Sequence, residues 1–276
     1  MEFLSETVKF IIYCLLVVVI SKYILVRIIR NLAETLKLHS KTVGDISGYA
    51  TSVPELLTVA VSSINGLMGA SLYNILSSNV INFIQYIASI LINKNHKLLK
   101  NKVIKIDIIL VLITIALPII FIGVNLQINI ITVFIFFTLY IIFKYIDRNA
   151  HKLYLVKNDN EEIEKNNPKQ WGRSIQYIIL LILTSILLFV VGNLLGNTLE
   201  NLCNRFNIPQ IIIGVLLGII TSIPELITFF EAQKHHKQSK NEIEGVIEST
   251  NNLFTSNILN LFIIQSIGVL IYTFFA

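Results

Sequence analysis

Charge is what this sequence has least of. Of its 276 residues 14% are charged and 54% hydrophobic, with a mean hydropathy of +0.71, whereas soluble domains carry about a quarter charged residues. That shortage excludes an ordinary water-solvated domain. Cysteine is nearly absent: Cys14 and Cys203, both in or beside apolar stretches, make no disulfide framework and are read as buried, unpaired thiols. No nucleotide-binding loop, hydrolase motif or soluble catalytic segment occurs, so the chain does not read as an enzyme and no cofactor is implied. The histidines His39, His96, His151, His235 and His236 lack metal-ligand spacing and are expected as solvated loop residues. The first apolar run, from about Val8 to Ile29, is too long for a signal peptide and lacks a small-x-small cleavage site, so it is taken as a retained helix.

Apolar runs long enough to cross a hydrocarbon core of about 30 Å recur along nearly the whole chain. Read between polar breaks they give eight helices, near 8–29, 43–65, 69–92, 106–124, 127–146, 174–199, 207–232 and 249–274. The partner this implies is the lipid bilayer. Lys and Arg fall in alternate loops, after the first, third, fifth and seventh runs, with Lys9 and Arg205 as exceptions. By the positive-inside rule those loops are cytoplasmic and both termini face outward. The net charge of +5 is therefore an orientation signal, and no nucleic-acid binding is inferred. Residues 147–173 are polar and contain Pro168, so they are expected as a cytoplasmic linker between a first half, 1–146, and a second, 174–276. Glu242, Glu244 and Glu248 are expected in a solvated charged loop.

The halves repeat each other. Gly48-Tyr-Ala-Thr51-Ser52-Val-Pro54-Glu55-Leu56-Leu-Thr58 matches Gly218-Ile-Ile-Thr221-Ser222-Ile-Pro224-Glu225-Leu226-Ile-Thr228 at seven of eleven positions. A second block follows in each repeat, about 43–92 and 207–274: Asn74, Ser78, Asn79 and Asn82 against Asn252, Ser256, Asn257 and Asn260. With five helices in the first half, the repeats are inserted in opposite orientations, a construction typical of secondary transporters with a binding site near the midplane. A mid-membrane carboxylate is unfavourable by about 2.5–3.5 kcal/mol on insertion scales measured for Asp, so Glu55 and Glu225 should face the interior and meet a cation or a proton. No basic residue lies at comparable depth in these spans, and Lys22 is taken as the only one inside any span. Pro54 and Pro224 give no amide hydrogen to the carbonyls around Ala50 and Ile220. Ser52 and Thr51 share a helical face with Glu55, as Ser222 and Thr221 do with Glu225. With Ser78, Asn82, Ser256 and Asn260 they form an all-oxygen set suited to hard cations.

At these blocks the chain resembles the Ca²⁺/cation antiporter superfamily, most closely the prokaryotic-type sodium/calcium exchangers. The resemblance implies an all-α polytopic membrane protein that exchanges Ca²⁺ for Na⁺ by alternating access, the first and sixth helices sliding across the repeats; H⁺ and K⁺ are the alternative coupling ions. It implies ligands at Glu55, Ser52, Thr51 and the Gly48 carbonyl, at Glu225, Ser222, Thr221 and the Gly218 carbonyl, and at Ser78, Asn82, Ser256 and Asn260. Several positions depart from the family pattern. Tyr73 and Ser77, and likewise Asn251 and Thr255, replace the glycines of the second block, which is expected to alter helix packing there. Asn260 stands where some exchangers have Asp. The second repeat is longer, with 35 positions from Glu225 to Asn260 against 27 from Glu55 to Asn82, as an eight-residue loop extension would produce. The family plan has two more helices after the eighth, so the chain is expected to be a shortened relative, an incomplete chain, or one whose open side is covered by a second copy. A non-transporting membrane subunit that keeps the motif is the alternative of another class.

Overall fold

The computed structural model describes residues 2–123, 129–158, 168–206, 209–239 and 241–275. It is built from helices alone among those residues: α1 (Glu2–Val19), continued through π-helical Ile20–Leu25 into α2 (Val26–Leu36), then α3 (Ser40–Thr51), α4 (Val53–Ile64), α5 (Met68–Ile92), α6 (Lys102–Gly123) and α7 (Ile130–Asn158). The second half supplies α8 (Pro168–Phe206), α9 (Gln210–Thr221), α10 (Ile223–Gln238), α11 (Glu242–Ile258), and α12 (Gln265–Phe275), the last two joined by π-helical Leu259–Ile264. Backbone groups in hydrocarbon must be bonded within their own segment, which is why apolar runs of this length become helices.

Six segments are long and apolar enough to cross a membrane: Met68–Ile92, Lys102–Phe121, Ile130–Lys152, Gly172–Thr198, Gln210–Gln238 and Glu242–Phe275. The expected count was eight. The other two, 8–29 and 43–65, are helical here but do not meet that test. Ser40–Ile64 is rich in Ser, Thr and Gly and carries Lys41, Asp45 and Glu55, because much of its surface is turned into the protein: Thr51, Ser52, Glu55 and Thr58 are buried. Outer surfaces behave in the opposite way. Ile131 and Phe134 are 70% exposed and Ile141 68%, the pattern of helices solvated by lipid.

The repeats interlock across the halves. α3 packs on α11 and α9 packs on α5, while α1, α2 and α8 lie against one another, with α8 also reaching α4. α6 and α7 flank the opposite side of the repeats, against α11, α12 and the π-helical turn before it. There Phe143 and Phe136 pack on Phe262, with ring centroids 5.1 and 5.7 Å apart.

Two expectations about shape change. The second repeat is not lengthened by a loop: α10 has 16 residues against 12 in α4, and α11 begins ten residues before Asn252 where α5 begins six before Asn74. The insertion is one helical turn on each helix, held by Gly245 close against Ala232, Gln233 and His236. The expected linker, 147–173, is helical at both ends. α7 runs helically through Asp147 to Asn158, and α8 begins at Pro168; residues 159–167 of the expected linker lie outside the described residues.

Candidate cation site

Both motif helices break at the same place. α3 ends at Thr51 and α4 begins at Val53, with Ser52 between them at φ −82°, ψ 3° and Pro54 in the first turn. In the second repeat Ser222 stands between α9 and α10 at φ −80°, ψ 0°, followed by Pro224. Proline is accommodated in a first turn but not in a helix interior. The single helical face expected for Thr51, Ser52 and Glu55 is therefore split between two helices, and Glu55 and Glu225 sit at the N-terminal turns of α4 and α10, where backbone amides point toward negative charge.

Both carboxylates are completely buried. Glu55 faces Thr221 and Glu225 from the other repeat, and Glu225 faces Thr51. Ser256 donates to Glu225 Oε1 at 3.1 Å and lies 2.9 Å from the Ser52 hydroxyl. Among the described residues no Lys, Arg or His pairs with either glutamate. Six buried oxygens of the expected site residues have no hydrogen-bond partner: both of Glu55, Glu225 Oε2, Ser222 Oγ, Asn82 Oδ1 and Asn260 Oδ1. Every one is a possible electron-pair donor to a cation. The other expected ligands are more engaged. Thr51 donates to the Ser47 carbonyl at 2.9 Å, and the Gly48 carbonyl accepts both the Ser52 hydroxyl at 2.9 Å and its amide at 3.3 Å. The Gly218 carbonyl accepts the Ser222 amide at 3.2 Å, and Ser78 lies 3.5 Å from the Thr221 hydroxyl.

Residues absent from the expected set hold the site in shape. Asn79 and Asn257 each donate to the other's backbone carbonyl, at 3.2 and 3.1 Å, clamping the two repeats at their meeting point. Their side-chain oxygens accept the amides of Asn260, at 3.2 Å, and Asn82, at 3.4 Å, which leaves the Asn82 and Asn260 oxygens open. Below each glutamate the pattern repeats again: Asn74 donates to Thr58 at 2.6 Å and Asn252 to Thr228 at 2.5 Å. All four asparagines were visible in the doubled second block; their pairing was not.

The replaced glycines do not loosen the packing, because glycines on the facing helices make room. A Cβ on Gly48 would lie 2.9 Å from the Asn252 carbonyl and from Thr255 Cβ, and one on Gly214 would lie 2.6 Å from the Ala70 carbonyl and 2.7 Å from Tyr73 Cβ. Larger residues on one helix are thus matched by absent side chains on the other.

His151 and Glu248, expected in solvated loops, are buried instead, and so is Lys41. His151 is fully buried with Nε2 2.8 Å from Asp107 Oδ2 and 3.4 Å from Asp147 Oδ1. Lys41 bonds both Asp147 oxygens, at 2.7 and 3.0 Å, and Asn251 at 3.0 Å. Glu248 is 3% exposed and takes Arg30 and His236 as partners. A helical register was legible for Asp147 and His151, four apart on α7; Asp107 comes from α6, and nothing in the sequence joined it to them. Asp107, Asp147 and His151 offer three ligand atoms within 4.8 Å of one another, but the Lys41 ammonium already neutralises Asp147. A cavity of about 440 Å³ lies between α8 and α3–α4, lined by Ile46, Tyr49, Val53, Leu181 and Phe189 among others. Its walls are almost wholly apolar, so it is a gap open to lipid and not the ion site.

Two halves interlocked around buried carboxylates, inside a lipid-facing helical shell, define a class: membrane cation antiporters built from inverted repeats. The sodium/calcium exchanger protein family model matches residues 7–147 and 176–275, and the chain belongs to that family. The family is one of transporters, not enzymes. Among solved structures, the sodium-calcium exchanger NCX_Mj soaked with 10 mM Na⁺ and zero Ca²⁺ matches with a TM-score of 0.62 at 22% identity, covering 96% of this chain and 83% of that one. The same exchanger soaked with 100 mM Na⁺ and 10 mM Sr²⁺ matches with a TM-score of 0.61 at 20% identity, covering 96% and 82%. At such identities the likeness shows the fold. No curated protein matches the chain.

Proposed function

We propose that the chain exchanges Ca²⁺ for Na⁺ across the cell membrane by alternating access, with the cation held between Glu55 and Glu225. The observation that carries this reading is the set of six unpartnered, buried oxygens, three of them on two carboxylates that no basic residue among the described residues neutralises. Burying two anions without counter-charge is strongly unfavourable; one Ca²⁺ cancels their combined charge, and six oxygens meet the lower bound of its usual six to eight ligands. Glu55 and Glu225 are the principal ligands, Asn82, Asn260 and Ser222 add neutral oxygens, and Ser52, Thr51, Thr221, Ser78, Ser256 and the Gly48 and Gly218 carbonyls join by turning from their present partners. Na⁺, also a hard cation, competes for the same oxygens. With amides at Asn82 and Asn260, the two glutamates are the only titratable groups of the set, so any H⁺ coupling has to pass through them. The basic loops face the cytoplasm and both termini lie outside. The two halves extend to about residue 146 and from about 174.

The test is Ca²⁺ uptake into proteoliposomes under an outward Na⁺ gradient, repeated with a pH gradient and with a K⁺ gradient. Na⁺-driven uptake supports the reading. Uptake driven only by pH or K⁺ replaces the coupling ion, and uptake in none of them removes the transporter reading.

A further inference from the structure

The internal symmetry is broken by charge at Glu248, as it is at Lys41 and Asp45, which stand where the second repeat has Ile211 and Val215. Glu248 stands four residues ahead of Asn252 on α11, as Ala70 stands four ahead of Asn74 on α5. The equivalence is structural too: the Glu248 carbonyl faces Gly44 and the Ala70 carbonyl faces Gly214. One repeat thus carries a buried carboxylate where the other carries a methyl. That carboxylate is met from outside the repeats by Arg30 of α2, with Nη1 2.7 Å from Oε2 and Nη2 2.6 Å from Oε1, while His236 Nε2 lies 3.1 Å from Oε2. The two-pronged geometry is the strong form of an arginine–carboxylate contact.

Its position is as informative as its strength. Between the pair and the cation site lies a residual void of about 10 Å³, lined by Val26, Ile29, Arg30, Ser47, Thr228 and Glu248. A single water needs about that much space or more, so between Ser47, Thr228 and the ion pair there is room for one water at most. On the other side the equivalent position is closed without charge: Ala70, Ile213 and Leu217 pack together, with Phe10 of α1 against them.

We propose that Arg30 and Glu248 form the gate on the basic-loop side, an ion pair between α2 and the repeats that has to separate before the site opens to that side. The gate is one-sided in its carboxylate, since Ala70 stands where the other repeat has Glu248. The proposal rests on the alternating-access reading. The loss of the pair biases the protein toward the state open on the basic-loop side, and the outer, apolar closure then becomes the tighter one.

Two reporters read this without transport. In a protein with Cys14 and Cys203 replaced by serine, Ser47→Cys lines the inner void and Leu217→Cys, its counterpart in the second repeat, lines the outer closure. Each is labelled by a membrane-impermeant thiol reagent applied to the appropriate face of oriented vesicles. Arg30→Gln and Glu248→Gln should each speed labelling at Ser47→Cys by roughly tenfold and slow it at Leu217→Cys, the opposite movements of a shifted two-state population. Because the two substitutions alter local charge in opposite directions, a common increase reports exposure and not thiol reactivity. The exchanged pair, Arg30→Glu with Glu248→Arg, should return both rates toward wild type. Rates that stay unchanged, or rise at both reporters as they would in a merely loosened fold, overturn the gate. If neither reporter responds to Na⁺ or Ca²⁺ in the otherwise unsubstituted protein, alternating access itself is refuted and the gate falls with it.

Discussion

Glu55 and Glu225 differ from the other buried acids of this protein in what surrounds them. Asp147 has Lys41, Glu248 has Arg30 and Asp107 has His151, whereas the glutamates have hydroxyls, amides and each other. Neutralising either leaves a bound Ca²⁺ with one uncompensated charge in a dry site, so Glu55→Gln or Glu225→Gln should cost about 3–5 kcal/mol of binding, at least a hundredfold in affinity, as read by Ca²⁺ titration of purified protein. Thr228→Val acts differently. It removes the acceptor of the Asn252 amide, leaving a buried donor unpaired at about 1–3 kcal/mol, so the melting temperature should fall with little change in Ca²⁺ affinity. Sequence reasoning found the glutamates because a carboxylate inside an apolar run is chemically conspicuous. It missed His151 and Glu248 because a charged residue near a basic loop looks the same whether it is solvated or buried; only the partner distinguishes them, and the partners lie 44 and 218 positions away.

Among the elements, the broken helices and the close helix pairs have different origins. Prolines at equivalent positions marked where the helices are disturbed, but not that each helix ends and restarts there. Close packing was not, because attention to Tyr73, Ser77, Asn251 and Thr255 missed that Gly214, Gly218, Gly44 and Gly48 face them. The repeat motif carried that information only on the assumption that α3 meets α11 and α9 meets α5. Gly214→Ala places a Cβ against the backbone of Ala70, which cannot turn aside as a side chain can, so it should lower stability by about 1–3 kcal/mol. Trimming Tyr73 to Ala in addition should not restore it. Gly172→Ala, on α8 where nothing lies within 4 Å, should be neutral or stabilising by up to about 1 kcal/mol. Thermal unfolding in one detergent compares all three. The extra turn of α10 and α11 is the other element-scale surprise: a polar, histidine-rich stretch read as loop is helical because Gly245 lets the two helices touch.

For the whole molecule, the span count was overestimated on hydropathy grounds while the repeat was not. Ser40–Ile64, expected as the span 43–65, is too polar to meet the hydropathy test, and that polarity suits a helix lining an ion site. α1 and α2 pack on α8, and α8 packs on α4 beside an apolar gap of about 440 Å³ against α3–α4; under the alternating access proposed above, this contact is the surface along which one group slides. The central claim, however, is that the two halves build one shared cation site, and equilibrium binding of ⁴⁵Ca²⁺ to the purified protein tests it most directly. A shared site predicts one Ca²⁺ per chain, displaced by Na⁺, with either Glu55→Gln or Glu225→Gln alone abolishing binding at concentrations that saturate the wild type. Half the binding surviving in each single variant, or full binding surviving in both, would contradict it.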